Sequence, residues 1–217
     1  MSEQTKDNVL EPTLSAGLVA LGIDIDELAR RRLSLYQNLL NKWADKINLV
    51  GEAEPSETVG RHFLDSLACL RVLDDRVSAL ADIGTGAGFP GFVLAIARPG
   101  WHVTLLEPNG KRASFLLALR AHCGVDNVEI IARRSSDLQG QIHHAVCSRA
   151  TFPAPVWIAE GGRLAKDGGF VLVMTARGET AEDQEAAAAS GLSLIGVDQY
   201  ELFWGPRTNL LYRKVSH

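Results

Sequence analysis

The residues best suited to chemistry are bunched where side chains are scarce. From Asp82 to Gly91 the chain reads DIGTGAGFPG, with Gly84, Gly86 and Gly88 at alternate positions. Glycine adopts dihedrals that other residues avoid and lets a ligand approach the backbone closely. Two ligand classes compete for such a turn. Gly86-Ala-Gly88-Phe-Pro-Gly91 matches the G-x-G-x-x-G dinucleotide fingerprint, with Glu107 further along at the spacing of its ribose-binding acid. Read from the strand end, the pattern is Asp82-x-Gly84-x-Gly86-x-Gly88 instead. A carboxylate at Asp82 would repel a diphosphate and suit a ligand with a cationic end. S-adenosylmethionine carries an ammonium and a sulfonium, so the sequence favours a methyl donor over a dinucleotide. On either reading Glu107 accepts hydrogen bonds from the two ribose hydroxyls.

Other candidates are more dispersed. His62 and Asp65 stand three apart, which puts them on one helix face, where they serve a site or simply hydrogen-bond each other. Arg149 follows a strand at the ligand edge, where packing does not account for a charge. Lys111 and Arg112 fall near a helix start, against its dipole, which suits an anionic partner or plain solvation. Cys69, Cys123 and Cys147 are scattered, as expected of reduced, buried thiols in a reducing compartment. The histidines form no metal constellation, and His143 and His144 point to opposite faces of a strand. No metal site is expected.

The elements that must position these residues fall into two regimes. From about Pro12 to Leu73 the pattern is helical. Leu35, Leu39, Trp43 and Ile47 recur every four residues, with Tyr36 and Leu40 beside them and Asp24 or Asp26 as N-cap. A second helix spans SETVGRHFLDSLACLRVL, capped by Ser56, with Phe63, Leu64, Leu67 and Leu70 inward. From Val77 onward strands and helices alternate, which demands crossover connections and a mainly parallel sheet. The last two strands, LSLIGVDQYELF and TNLLYRKV, have no helix between them, so one runs antiparallel. The expected fold is α/β and Rossmann-like: a seven-stranded, mostly parallel sheet with helices on both faces. Residues 1–75 form a helical N-terminal extension packed on the core, and 76–217 the ligand-binding domain.

Several stretches together resemble the bacterial 16S rRNA 7-methylguanosine methyltransferases, the family also called glucose-inhibited division protein B. They are LLNKWADKINLVG, RHFLDSLA, DIGTGAGFPG, TLLEPNGKRASFL and CSRA, in the family's order between residues 39 and 150. The C-terminal third is similar in pattern only. The resemblance implies a class I methyltransferase that uses S-adenosylmethionine to methylate N7 of a guanine in the helix-18 loop of small-subunit rRNA. It implies that Gly84, Phe89, Arg134, Ser135 and Arg149 contact the cofactor. The family usually carries an acidic residue where this chain has Ser135. Adenine recognition then leans on the backbone, on the Ser135 or Ser136 hydroxyls, or on Asp137.

Guanine N7 presents a lone pair and no proton, so the nucleophile needs no base. Alignment and tolerance of a charge moving onto the purine are what the protein must supply. Arg149, Asp65 and His62 are the expected catalytic-side groups. The net charge of −4 does not attract nucleic acid, so contacts must come from local residues. Arg30, Arg31, Asn48, Arg61, Lys111 and Arg112 are the candidates. The expected partner is 16S rRNA or the small ribosomal subunit, met by a cytoplasmic monomer with no membrane span. A methyltransferase for another substrate, or a dinucleotide-binding module, are the competing functions.

Overall fold

The computed structural model describes residues 10–44, 49, 58–73, 76–140, 143–202 and 205–216. Helix α1 (Leu10–Leu21) ends at Gly22, whose φ of 65° separates it from α2 (Glu27–Ala44). The break falls just ahead of Asp24 and Asp26, the expected caps of the following helix. Asp26 is the cap of α2, its Oδ1 accepting from the Ala29 N–H at 2.7 Å. The buried arc of α2 runs through Ala29, Leu33, Tyr36 and Leu40. Leu39 and Trp43 flank that arc, whereas Leu35 lies off it and is exposed, contrary to the expected stripe. Ile47 and Ser56 fall outside the described residues.

Helix α3 is a run of three geometries: a π turn (Val59–Leu64), an α turn (Asp65–Leu67) and a 3-10 turn (Ala68–Arg71). Phe63, Leu64 and Leu67 are buried as expected. The remaining elements are β1 (Ala79–Ile83), α4 (Gly91–Ala97), β2 (His102–Leu106), α5 (Gly110–Cys123) and β3 (Val128–Ile131). They continue with β4 (His143–Ser148), α6 (Ala154–Leu164), β5 (Ala165–Thr175), α7 (Ala181–Ala189), β6 (Leu192–Leu202) and β7 (Gly205–Lys214).

The strand order is β3-β2-β1-β4-β5-β7-β6, parallel except for β7, which is antiparallel to both neighbours. Strand side chains alternate between faces, and the core divides accordingly. Leu80, Val103, Leu105, Ala145 and Leu172 pack with the apolar faces of α1 to α5. Ala81, Leu106, Val146 and Val171 pack with Trp157 and Ile158 of α6 and Ala187 of α7. One consequence of topology matters for function. β1, β2 and β4 end at a common edge, and because β7 runs the other way, it begins there, with Thr208 opposite Thr175 at the end of β5.

Candidate active site

The glycine turn leaves β1 at Ile83 and enters α4 at Gly91. Gly84 and Gly86 have φ of 71° and 62°, and a side chain on Gly86 would point into open space. Both line a cavity of about 590 Å³ at the common strand edge, together with Thr85, Phe89 and Glu107. The turn's N–H groups are almost all spent internally. Gly84 and Thr85 donate to the Leu106 carbonyl, and Gly88 and Phe89 to that of Thr85. Gly86 donates to Glu107 Oε2 at 2.9 Å, and Gly91 to Asp82 Oδ2 at 2.7 Å.

This corrects the expected role of Asp82. Its side chain is fully buried, and it accepts from the Thr85 hydroxyl at 2.6 Å as well as from Gly91. It fastens the turn to α4 from beneath and does not line the cavity. Burial pushes its carboxyl up to about 6 against the hydrogen bonds from Thr85 and Gly91. Gly88 also turns away from the cavity: at φ 106° a side chain there would meet the Tyr36 hydroxyl, Phe92 and Leu116. The turn therefore has few N–H groups left to offer a diphosphate, and the Asp82 carboxylate is turned away from the cavity. Glu107 is only 3% exposed yet lines the cavity, its other oxygen accepting from the Asn109 N–H at 2.8 Å. Backbone cradle and held carboxylate suit a nucleoside with two vicinal hydroxyls.

The facing wall is cationic and aromatic. The π turn of α3 carries Arg61 and His62 into the cavity lining, as π turns do at many functional sites. Arg149, just past β4, donates to the Arg61 carbonyl at 3.0 Å and to Asp65 Oδ2 at 3.2 Å. Its Nη2 lies 2.9 Å from His62 Nδ1. Arginine has no acceptor, so Nδ1 accepts and the neutral ring carries its proton on Nε2. Burial, reinforced by Arg149, Arg61 and Arg207, lowers the His62 pKa to about 3. Phe89 is the plate beneath: Tyr36 and His62 stack with its ring at 5.2 and 4.8 Å, and the Arg149 guanidinium lies over it at 5.1 Å. Asp65 stands behind the wall, also accepting from the Tyr200 hydroxyl at 3.0 Å and pairing with Arg207 at 3.3 Å.

Comparison with known proteins decides the family. The model for rRNA small subunit methyltransferase G matches residues 29–206. A relative of that name from Anaeromyxobacter dehalogenans is 36% identical over 200 residues, covering 90% of this chain and 93% of its own. Another from Alkalilimnicola ehrlichii is 37% identical, covering 84% and 82%. The chain belongs to this family. Solved structures share the fold. YcgJ from Bacillus subtilis superposes with a TM-score of 0.57 at 10% identity, covering 72% of this chain and all of its own. A 16S rRNA (adenine(1408)-N(1))-methyltransferase from Catenulisporales acidiphilia, solved with its cosubstrate SAM, gives 0.52 at 17% identity, covering 64% and 85%.

The cavity gathers Gly84, Gly86, Phe89, Glu107, Arg61, His62, Arg112 and Arg149. The other sequence candidates lie elsewhere. Lys111 is exposed at the start of α5, where Asn109 caps its N–H. Arg134 and Ser135 follow β3 at the same edge without lining the cavity, and Arg163 of α6 donates to the Ser135 carbonyl. Arg30 donates to Ser15, and Arg31 pairs with Glu27 one turn away, so neither faces the cavity. Asn48 lies outside the described residues. Arg207 and Tyr200 went unnoticed in sequence. The signal for Arg207 was the antiparallel last strand, whose start must return to the carboxyl edge of the parallel ones; Tyr200 reaches that edge near the end of β6. The cysteines are buried and free, and burial raises all three thiols, so none is an activated nucleophile.

Proposed function

We propose that this chain transfers a methyl group from S-adenosylmethionine to N7 of a guanine in the helix-18 loop of 16S rRNA. One observation carries the reading. In a chain of net charge −4, Arg61, Arg112, Arg149 and Arg207 converge on the same cavity as the glycine turn and Glu107. A cluster of that sign draws a polyanion locally although the whole protein would repel it. The Gly84–Gly86 backbone and Glu107 would hold the nucleoside part of the methyl donor. When bound, that donor supplies an electrophilic methyl on a sulfonium.

The chain's own residues need not move a proton, because N7 has none. His62, kept neutral, offers its Nε2–H as a donor suited to the guanine O6 beside N7. Methylation leaves a positive charge on the purine, which the arginines alone would oppose. Asp65 pairs with two of them from behind the wall, its single charge shared between them, and Glu107 adds a carboxylate on the donor side. Because guanine in a paired stem cannot enter such a cavity, the acceptor is an unpaired or extruded nucleotide.

The test is to deplete the protein from its source and map 7-methylguanosine in small-subunit rRNA by borohydride and aniline cleavage. A cleavage site should vanish from the depleted cells and return on complementation; an unaltered pattern rejects the assignment. A second expectation concerns the donor side. Gly86→Asp places a carboxylate in the cavity near Glu107, on a backbone of positive φ that aspartate tolerates. Titration calorimetry should show S-adenosylhomocysteine affinity reduced at least tenfold, measured at a temperature where circular dichroism shows the variant folded. Normal affinity would mean the nucleoside lies elsewhere.

A further inference from the structure

The loop that carries Arg149 divides two cavities. Thr151 sits on the glycine turn, its hydroxyl donating to the Gly84 carbonyl at 3.2 Å, and Ala150 is held at φ 56°, a strained conformation for a residue with a side chain. Ala150 lines the site described above and also a second cavity of about 390 Å³, at the ends of β4 and β5. Phe152 faces that second space. It is half-buried and stacks on Trp157 at 6.0 Å with the planes 14° apart. Trp157 is itself fixed, being buried and donating from Nε1 to the Leu172 carbonyl at 2.8 Å. The result is a stacked aromatic pair in the lining of a cavity, next to the site where an extruded guanine would enter.

The rim chemistry indicates what fits. Arg177 lines the cavity, and its guanidinium is clamped in a two-point pair by the buried Asp183. That pair is neutral overall, and Glu182 beside it adds a negative charge. A phosphate would be repelled there. A nucleobase would not: every base has a face that stacks on an aromatic ring, and amino or ring N–H groups can donate to a carboxylate.

We infer that this second cavity is a subsite for the nucleobase adjacent to the methylated guanine, stacked on Phe152. The inference rests on the proposed rRNA guanine methylation. It gives the strained loop a task, since one four-residue segment then places Arg149 against the target nucleotide and Phe152 against its neighbour. Holding the neighbour unstacked from its own strand would fix the target's orientation.

The experiment uses the full chain, S-adenosylmethionine and acceptor RNA in three forms: intact, and abasic at the nucleotide on either side of the target guanine. Steady-state methylation is measured for wild type, Phe152→Leu and Phe152→Tyr. Leucine keeps apolar bulk without a stacking face, and tyrosine keeps the face. One base–aromatic stack corresponds to roughly a ten- to hundredfold change. Phe152→Leu should therefore lose about that much in kcat/KM on intact RNA, with unchanged S-adenosylhomocysteine affinity, and Phe152→Tyr should stay near wild type. One of the two abasic RNAs should impose a similar loss on wild type and no further loss on Phe152→Leu. Wild-type rates from Phe152→Leu, or losses that multiply in the combination, overturn the subsite. Should Phe152→Leu melt early, the Phe152→Tyr and abasic arms on wild type decide: equal turnover on all three RNAs overturns it. Failure of wild type to methylate intact RNA would refute the parent reading instead.

Discussion

Arg149→Gln is expected to lower kcat on the RNA acceptor by roughly 10²-fold, the loss that follows when aligned groups are misplaced by about an ångström. The expectation follows from what this guanidinium holds. It ties the Arg61 carbonyl, Asp65 and His62 Nδ1 together and lies over Phe89. Glutamine can replace one of those bonds but cannot span all three. Stability should fall too, because Asp65, with a side chain only 3% exposed, would keep Arg207 and Tyr200 but lose its other cation. Breaking one arm of a buried ion pair costs on the order of 3 kcal/mol. Asp65→Asn should be comparably damaging from the other side, leaving two guanidiniums unbalanced beside a purine that must become positive.

The pair also makes a non-additivity test. In a double-mutant cycle, groups sharing one network couple by about 0.5–3 kcal/mol, whereas distant sites add. The Asp65→Asn/Arg149→Gln protein should therefore be more stable than the sum of the single losses, because neither charge is left facing a missing partner. Turnover should not recover with it, since the wall is still undone. Chemical denaturation and single-turnover methylation of all four proteins would check this. A kcat for Arg149→Gln within threefold of wild type would show that the arginine is only structural packing.

How much of this was readable in the sequence depends on range. The glycine turn, its strand and its helix are local, and the structure places them where the spacing put them. Glu107 ends β2 in the cavity because a parallel neighbour brings its terminus to the same edge. Asp82 was misplaced for a reason that strand geometry could have supplied. Two-residue alternation puts it on the same face as Leu80, under α4, where a Cβ on Gly91 would lie 2.7 Å from its own. The choice of methyl donor stands on the family match and on backbone N–H groups already in use. The bond between Asp65 and Tyr200 joins segments 135 residues apart, and nothing in either segment announces the other. Such pairings are fixed by the tertiary fold. Arg207 was intermediate: its position follows from topology once β7 is known to be antiparallel, but its partner does not.

His62 and Asp82, two buried titrating groups of the site region, lead to the last expectation, a pH dependence in which their contributions oppose each other. His62 has its pKa lowered from 6.5 to about 3, chiefly by burial. Between those values the unfolded chain binds a proton that the native chain refuses, so stability falls as pH drops, by about 1.4 kcal/mol per unit. Asp82 is raised from 3.8 to about 6, again by burial. In its window the native chain holds the extra proton, so stability rises as pH drops, at the same slope with opposite sign. From about pH 6 to 4 the two contributions cancel, and below that only the His62 loss continues. Single substitutions should unmask each one. Relative to wild type, His62→Gln should gain roughly 3 kcal/mol between pH 6.5 and 4, and Asp82→Asn should lose a similar amount between pH 6 and 4. Urea denaturation of the three proteins across that range measures the differences, in which all other titrating groups drop out. Parallel pH profiles for wild type and Asp82→Asn would show that the carboxyl titrates normally, and hence that solvent reaches it beneath the turn.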